Sequence, residues 1–351
     1  MKLHFKIWMW LVIVSLAAAG CRPGGGVSDQ LSILEWEGYD NPEYWKGFAE
    51  KNPAVNVKFT IMEDDPESLS KMQAHPSLDL AHPCANYWGL LVEEHLVQPI
   101  DTSRLEHLNQ LAPELLQMGY FEGQLYFIPW DWGYEGIAYR ADLVDNPPTR
   151  WADLWNPEYQ GHVSIEDVGE NAFMVSALSI GMDPYFPSPN QKRQIKYHLQ
   201  DLEESGVQFW EDDQVLNEQM AKGEIWVAGN AWNSTFLQLK ERGVAVEYVL
   251  PAEGAIGWVC GFGITRETRN LDLVYDYLNA IMTPAANAAM ANDYGYGPAN
   301  RQSIALMNPD VVSALGLDRP NLLSLMNMML PLTREQLEEY VDTWAYVRGE
   351  E

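Results

Sequence analysis

Carboxylates and aromatic rings are the side chains of this sequence that are numerous enough to build a binding site. The chain has 50 Asp and Glu against 22 Lys and Arg, a formal charge of −28, and 12 of its 14 Trp lie beyond residue 20. Acids beside aromatic faces suit either a cation or a sugar. The simpler interpretations are a charged surface that keeps the protein in solution and Trp side chains that pack in the core.

Asp167 and Glu170 are two closely spaced carboxylates of the sequence. They follow a predicted strand over residues 163–166 and lie three residues apart at the start of a predicted helix. This spacing allows both side chains to face one cleft. Acidic residues are also favoured in the first turn of a helix, where they interact with its dipole, so helix capping is the alternative interpretation.

Several classes of function are excluded by what the sequence lacks. It contains no Gly-x-Ser-x-Gly turn and no Gly-rich phosphate loop, and its 7 His and 3 Cys show no metal-ligand spacing. We therefore predict neither a metal nor a cofactor. The net negative charge repels phosphate, which excludes sequence-independent binding of nucleic acid. A carboxylate-based glycosidase is the enzymatic alternative to a binding protein.

The N-terminal residues have the composition of an export signal. A basic start precedes an apolar run over residues 7–16, and small residues then lead to Cys21. This pattern resembles the bacterial lipoprotein signal, with Ala18 where Leu is usual, and predicts lipidation of Cys21 after removal of residues 1–20. Residues 21–28 would be a flexible tether. The alternatives are simple secretory cleavage and an uncleaved anchor.

Hydrophobic periodicity beyond the tether predicts an α/β fold. Strands and helices alternate from Leu31 to Ala81 and again from Val163 to Leu250, and two further strands at residues 125–129 and 137–139 look like crossings between lobes. A long amphipathic helix follows Ile264. Because single cores stop growing at about 250–300 residues, we expect two lobes.

One run of the sequence is Trp151-Ala-Asp-Leu-Trp-Asn-Pro-Glu-Tyr-Gln-Gly161. It resembles a stretch of the periplasmic polyamine-binding proteins of ABC importers, the spermidine/putrescine-binding group. The likeness extends over about residues 30–345. Further motifs follow in the family's order: Trp36-Glu-Gly-Tyr39, Asp79-Leu80 before Pro83, Ile128-Pro129 with Trp132-Gly133, Gly223-Glu224 before Trp232-Asn233, Pro251-Ala-Glu-Gly254 before Trp258, and Gly295-Tyr296 before Pro298 and Asn300.

The resemblance implies a two-lobed solute-binding fold, each lobe a mixed sheet covered by helices, with the ligand cleft between the lobes. It places residues 29–134 and about 261–303 in the N-terminal lobe, and residues 135–260 and about 304–351 in the C-terminal lobe. The implied function is that of a monomeric extracytoplasmic receptor, not an enzyme. It would capture a small cationic amine by lobe closure and deliver it to a membrane permease, from the periplasmic or cell-surface side of a bacterial membrane.

The resemblance also implies ligand residues. Asp167 and Glu170 match carboxylates that receive amino groups, and the remaining matches are aromatic walls of the cleft: Trp36, Tyr39, Trp232, Trp258 and Tyr296. For each aromatic residue the alternative is a place in the core.

Four positions depart from the family pattern. Cys260 stands where the family has a carboxylate, Cys84 and Asn86 stand where it has a hydroxyl and an aromatic ring, and Glu37 lies one place earlier than the usual acid. The expected ligand is therefore a polyamine or a related small amine. A sugar, an amino-acid derivative or an empty cleft are the alternatives.

Cys84 and Cys260 line the same cleft in the family, and they are the two thiols that remain if Cys21 carries lipid. Disulfides persist in an extracytoplasmic compartment, so a bond between these residues across the cleft is one hypothesis. The other is that each is a small buried residue with a free thiol.

Overall fold

A computed structural model describes residues 30–349, which form a mixed α/β architecture. The strands are β1 (Gln30–Trp36), β2 (Asn56–Met62), β3 (Leu80–Ala81), β4 (Val97–Gln98), β5 (Tyr120–Phe121), β6 (Gln124–Leu125), β7 (Phe127–Arg140), β8 (Val163–Glu166), β9 (Gln208–Trp210), β10 (Val227–Trp232), β11 (Val246–Val249), β12 (Ala255–Thr265), β13 (Gly297–Pro298) and β14 (Met326–Met328).

Helices cover both faces of the strands. The α-helices are α1 (Lys46–Lys51), α2 (Asp65–Ala74), α3 (Ala85–Glu93), α4 (Pro113–Met118), α5 (Gly169–Ser179), α6 (Pro189–Glu204), α7 (Asp213–Lys222), α8 (Asn233–Glu241), α9 (Leu271–Ile281), α10 (Pro284–Tyr294), α11 (Pro309–Ala314) and α12 (Arg334–Arg348). Six short 3₁₀ helices complete the described chain: Thr102–Arg104, Leu108–Gln110, Trp151–Trp155, Pro157–Tyr159, Arg301–Leu306 and Leu322–Leu325.

One sheet runs through the molecule in the order β2-β1-β3-β12-β7-β10-β8-β9. Its two ends are parallel, since β1 pairs with β2 and β3, and β8 pairs with β9 and β10 in that sense. Its centre is antiparallel, where β7 pairs with β12 and β10. The alternation of strands and helices that the sequence predicts is therefore found at the two parallel ends of the sheet. The fold is α/β, with helices covering both halves.

The two predicted crossing strands belong to one strand, β7, which is buried along most of its length. β7 is hydrogen-bonded to β12 from the Phe127–Gly263 pair to the Glu135–Ile256 pair. Pro129 is within β7, and the register shifts between Cys260 and Gly261 of β12. The shift accommodates this proline, which offers no N–H to the ladder.

Separate cores lie on either side of this central pair. The larger one joins β1, β3, α9 and the segment around Leu315, and the main core of the second half joins β8, α5 and Trp344 of α12. The apolar face of α9 predicted from the sequence is fully buried in the first core. A smaller cluster packs Tyr87 and Leu90 of α3 against α12. Among residues 30–349, no helix combines the length and apolarity that crossing a bilayer requires.

Candidate functional site

A small cavity, with a volume of about 10 Å³, lies where β7 leaves its partner β13 and meets β10. Three of the predicted aromatic residues, Trp232, Trp258 and Tyr296, line it. The full lining is Trp132, Gly133, Tyr134, Trp232, Asn233, Trp258, Gly295, Tyr296, Gly297, Leu315 and Leu317. The cavity is therefore mainly aromatic and contains no charged side chain in its wall.

Glycines hold the aromatic walls in place. The ring of Trp258 lies over Gly133, its register partner in β7, so closely that a Cβ at Gly133 would overlap it. Trp258 then meets Tyr296 edge to face, with ring centroids 4.8 Å apart. A Cβ at Gly297 would overlap the ring of Trp132 in the same way. These two glycines are needed because each lets an indole lie flat against the backbone.

Tyr39 lies in the core and not in the wall of the cavity. Its hydroxyl donates to Asp131 Oδ2 at 2.9 Å, and its ring stacks on Tyr294 with centroids 4.3 Å apart. Trp36 ends β1 half-buried, and its buried indole N–H has no hydrogen-bond partner among the described residues. Glu37 is exposed to solvent. Of these three predicted ligand residues, only Trp36 leaves a buried polar atom available.

A network beneath Tyr39 that the sequence analysis did not find joins Glu35, His82 and Asp131. His82 Nδ1 lies 2.6 Å from Glu35 Oε1, and Nε2 lies 2.9 Å from Asp131 Oδ1. All three residues are almost completely buried. Burial alone would lower the pKa of His82, but the charges of Glu35 and Asp131 outweigh it and raise that pKa to about 10. His82 is thus an imidazolium held between two carboxylates.

Asp167 and Glu170 do not share a site, although both come from the same strand end. Asp167 Oδ1 accepts from Trp344 Nε1 at 2.7 Å, and Oδ2 lies 3.2 Å from an Arg348 nitrogen, so both oxygens engage α12. Glu170 instead lies on the side of α5 that approaches α2. Burial raises the pKa of Glu170, with a smaller contribution from Asp64.

Asp65 faces Glu170 from α2 and was missed in the sequence. Its Oδ1 accepts the backbone N–H of Cys84 at 2.9 Å. Burial raises the pKa of Asp65 to about 7, and repulsion from Glu170 adds to the effect. Asn86, in the adjoining α3, keeps a buried Oδ1 without a hydrogen-bond partner in the described part of the chain.

A second pair of missed carboxylates, Glu135 and Glu166, is buried where β7 and β8 flank β10. Asn171 donates its amide to both, reaching Glu135 Oε1 at 3.3 Å and also contacting Glu166 Oε2. Asn230 donates to Glu135 Oε2 at 3.1 Å. No lysine, arginine or histidine within residues 30–349 forms an ion pair with either carboxylate.

The environment of this pair favours the protonated carboxyl groups. Burial raises the pKa of Glu135 well above its usual value, with further repulsion from Glu166. Burial also raises the pKa of Glu166 to about 7. Hydrogen bonds from Asn171 and Asn230 oppose these shifts without reversing them. A cation would relieve the cost of ionising the pair, and no side chain of residues 30–349 supplies one.

Cys84 and Cys260 are joined by a disulfide whose Cα atoms are 3.8 Å apart. The two residues also form an antiparallel bridge, and Gly261 N–H donates to the Pro83 carbonyl at 3.1 Å. This bridge continues the pairing of β3 with β12. The structure thus contains the disulfide between Cys84 and Cys260 that was hypothesised from the sequence, and backbone pairing of the two segments sets the distance between them.

The fold, the aromatic cavity and the buried acids can be compared with known proteins. Residues 43–316 match the family model described as bacterial extracellular solute-binding protein. The chain belongs to this family. The matched range includes the cavity-lining residues of β7, β10 and β12. These parts of the cavity wall of this solute-binding protein therefore belong to the segment that matches the family.

Relatives of this solute-binding protein include transport receptors. It is 25% identical over 291 residues to the spermidine/putrescine-binding periplasmic protein of Salmonella typhimurium, covering 82% of each chain. It is also 25% identical over 335 residues to the putrescine-binding periplasmic protein of Escherichia coli, covering 90% of each chain. These relatives support the resemblance found in the sequence.

Solved structures show the same fold. The spermidine/putrescine ABC transporter substrate-binding protein of Streptococcus pneumoniae superposes with a TM-score of 0.78 at 22% identity, covering 92% of this chain and 99% of the other. A spermidine/putrescine ABC transporter protein of Listeria monocytogenes gives a TM-score of 0.79 at 20% identity, covering 92% and 100%. The predicted two-lobed solute-binding fold is thereby confirmed.

Proposed function

We propose that this protein is a receptor that captures a polyamine or a related small cationic amine by lobe closure and delivers it to an ABC permease. The observation that carries the proposal is an aromatic cavity between two halves of the molecule, flanked by the buried carboxylates Glu135 and Glu166, which have no cationic partner within the described part of the chain. Aromatic faces suit the alkyl segments and ammonium groups of an amine, and carboxylates suit its charges. The named relatives bind spermidine or putrescine, which supports the same ligand class here.

The proposed ligand contacts combine the cavity wall with polar atoms that lack partners. Trp232, Trp258 and Tyr296 line the cavity. Trp36 and Asn86 contribute the unpaired indole N–H and amide oxygen described above. Glu170 supplies charge from α5. Catalysis is not part of the proposal, and neither is a ligand role for Asp167, whose oxygens already contact α12.

Lobe closure requires contacts that exist only in the closed state, so that binding shifts the population of conformations towards it. We propose the division of the chain given by the resemblance: residues 29–134 with about 261–303, and residues 135–260 with about 304–351. β7 and β12 would connect these lobes. We further propose that the receptor acts as a monomer that presents its closed form to the permease.

A thermal-shift screen tests the ligand class. With the chain beginning at Ser28, we expect spermidine or putrescine to raise the melting temperature more than any neutral sugar or amino acid, because a ligand that binds only the folded state stabilises it. Magnesium chloride at matched ionic strength is the control for simple screening of the −28 charge. A sugar that stabilises the protein when no amine does would contradict the proposal.

Attachment to the membrane by lipid on Cys21 is a separate proposal, because residues 1–29 lie outside the described part of the chain. Replacing Cys21 with serine removes the thiol that would carry the lipid, so Cys21→Ser is expected to move the protein from the membrane fraction to the soluble fraction. Fractionation of cells expressing the two forms measures this. Membrane association of the variant that resists high salt would indicate an uncleaved hydrophobic anchor instead.

A further inference from the structure

Glu135 and Glu166 lie next to the aromatic cavity. Directly paired residues of antiparallel strands point to the same face of the sheet. Glu135 pairs with Trp232 of β10, and Gly133, two residues away on the same face, pairs with Trp258 of β12. Glu135 is therefore flanked by two indoles that line the cavity.

A fully buried amide beside this pair also lacks a partner. Asn230 uses its Nδ2 to donate to Glu135 Oε2, and its Oδ1 has no hydrogen-bond donor within residues 30–349. Asn230 is completely buried, with a positive φ of 55°, at the bulge between Ala228 and Ala231. Once both carboxyl groups are ionised, the cluster presents two carboxylates and one free carbonyl oxygen, which are all acceptors.

We propose that Glu135 and Glu166 receive one primary ammonium group of the ligand and release a proton as it binds, with Asn230 Oδ1 accepting a further N–H. A primary ammonium offers three N–H donors, which matches two carboxylates and one carbonyl. The alkyl chain would pass between Trp232 and Trp258. This inference rests on the proposed function and assigns the charge recognition to residues that the sequence analysis did not select.

The proton balance follows from the groups that face the pair. Glu170 adds negative charge near Glu166, while the phenols of Tyr296 and Tyr248 approach Glu166 and Glu135 and are neutral at pH 7. Asn171 and Asn230 do not titrate. Without ligand, the pair retains at least one proton near neutral pH. Ionisation of both carboxylates around the ammonium sends that proton to the buffer.

Calorimetric titration of the full chain in detergent with putrescine tests the proposal. Titrations in phosphate and in MES, which differ in ionisation enthalpy, give the number of protons released, and we expect at least one at pH 6.5. The affinity should fall by at least tenfold per unit as the pH decreases below this value. Putrescine with both nitrogens fully methylated keeps its charge but lacks N–H donors, so we expect it to bind at least tenfold more weakly.

Glu135→Gln and Glu166→Gln should each weaken putrescine binding by at least tenfold and reduce proton release. The matched control is Glu247→Gln, an exposed acid of β11 in the same sheet, which should change neither quantity. The ligand-free variants should melt no lower than wild type, because a carboxyl whose folded pKa is raised destabilises the protein at neutral pH. This second measurement separates lost binding from lost folding.

The outcomes distinguish this inference from the function on which it rests. If putrescine binds but neither variant weakens it, or no proton is released, the assignment to Glu135 and Glu166 is overturned and the receptor function stands. Equal binding of the methylated analogue would also overturn it, since an aromatic cage alone would then explain recognition. If no amine binds at all, both proposals fail.

Discussion

Replacing His82 with alanine is expected to lower the free energy of unfolding by about 3–5 kcal/mol, because two buried carboxylates lose the cation that lies between them. Glu35 and Asp131 are 1% exposed, and each contacts one ring nitrogen of His82. The ring also stacks on Phe262 with centroids 4.2 Å apart, so packing is lost as well. Urea unfolding measures the change.

The matched control is His75→Ala, which removes an exposed imidazole that follows α2. We expect it to change the free energy of unfolding by less than about 0.5 kcal/mol. If His82→Ala were no more destabilising than this control, the buried network would not stabilise the protein. Glu35→Gln in the His82→Ala background should restore part of the loss, since it removes one of the two uncompensated carboxylates.

The same network predicts how stability depends on pH. The pKa of His82 is raised to about 10 in the folded protein, above its usual value near 6.5. A raised folded pKa means that the stabilisation is complete below about pH 6.5 and disappears as the pH rises through about 10. Unfolding free energies of the wild type should therefore decrease over this range, and those of His82→Ala should decrease less. A wild-type curve that is flat to pH 10 would contradict the assigned imidazolium.

The second large effect is expected from the disulfide. Replacing Cys84 and Cys260 together with serine, in a Cys21→Ser background, should lower the free energy of unfolding by about 3–5 kcal/mol, because the bond closes a long loop in the unfolded chain. The sequence separation is 176 residues. Guanidinium unfolding of the variant against the oxidised Cys21→Ser parent measures the difference.

Two controls accompany this comparison. The Cys21→Ser parent, fully reduced while unfolded, should refold to the stability of the serine variant, because both then lack the cross-link. Mass spectrometry after alkylation under non-reducing denaturing conditions should find no free thiol in the oxidised parent. Two alkylated cysteines there, or equal unfolding free energies of parent and variant, would show that the bond does not form in solution.

Local sequence patterns predicted strands and helices correctly where the hydrophobic residues of an element repeat with the period of that element. The predicted strand at residues 163–166 is β8, and the predicted face of α9 is buried as expected. The helix after β1 begins at Lys46, because residues 42–44 still form a turn. The crossing strands were predicted as two because Pro129 and Gly133 interrupt the usual strand signals, whereas pairing with β12 keeps β7 continuous.

The charged site was harder to predict because strand alternation separates neighbouring residues. The resemblance led to Asp167, whose side chain turns to α12, while Glu166 one residue earlier turns to Asn171. Successive side chains along a strand point to opposite faces of the sheet, which explains why these two side chains at the end of β8 point in opposite directions. The partner Glu135 is 31 residues away on β7, a distance that no local pattern connects. His82 and Asp131 likewise meet only through the sheet.

The antiparallel pair of β7 and β12 passes between the two cores as a hydrogen-bonded ribbon. Two-stranded ribbons accommodate large changes of twist, whereas their hydrogen bonds resist separation of the strands. In the proposed lobe closure, the ribbon would twist to let the lobes rotate, while its hydrogen bonds would limit how far they move apart. If the proposed lobe closure twists this ribbon, the proposed ligand contact at Trp258 lies on the twisting strands, where a small local rotation would become a large displacement at the distant rims of the lobes.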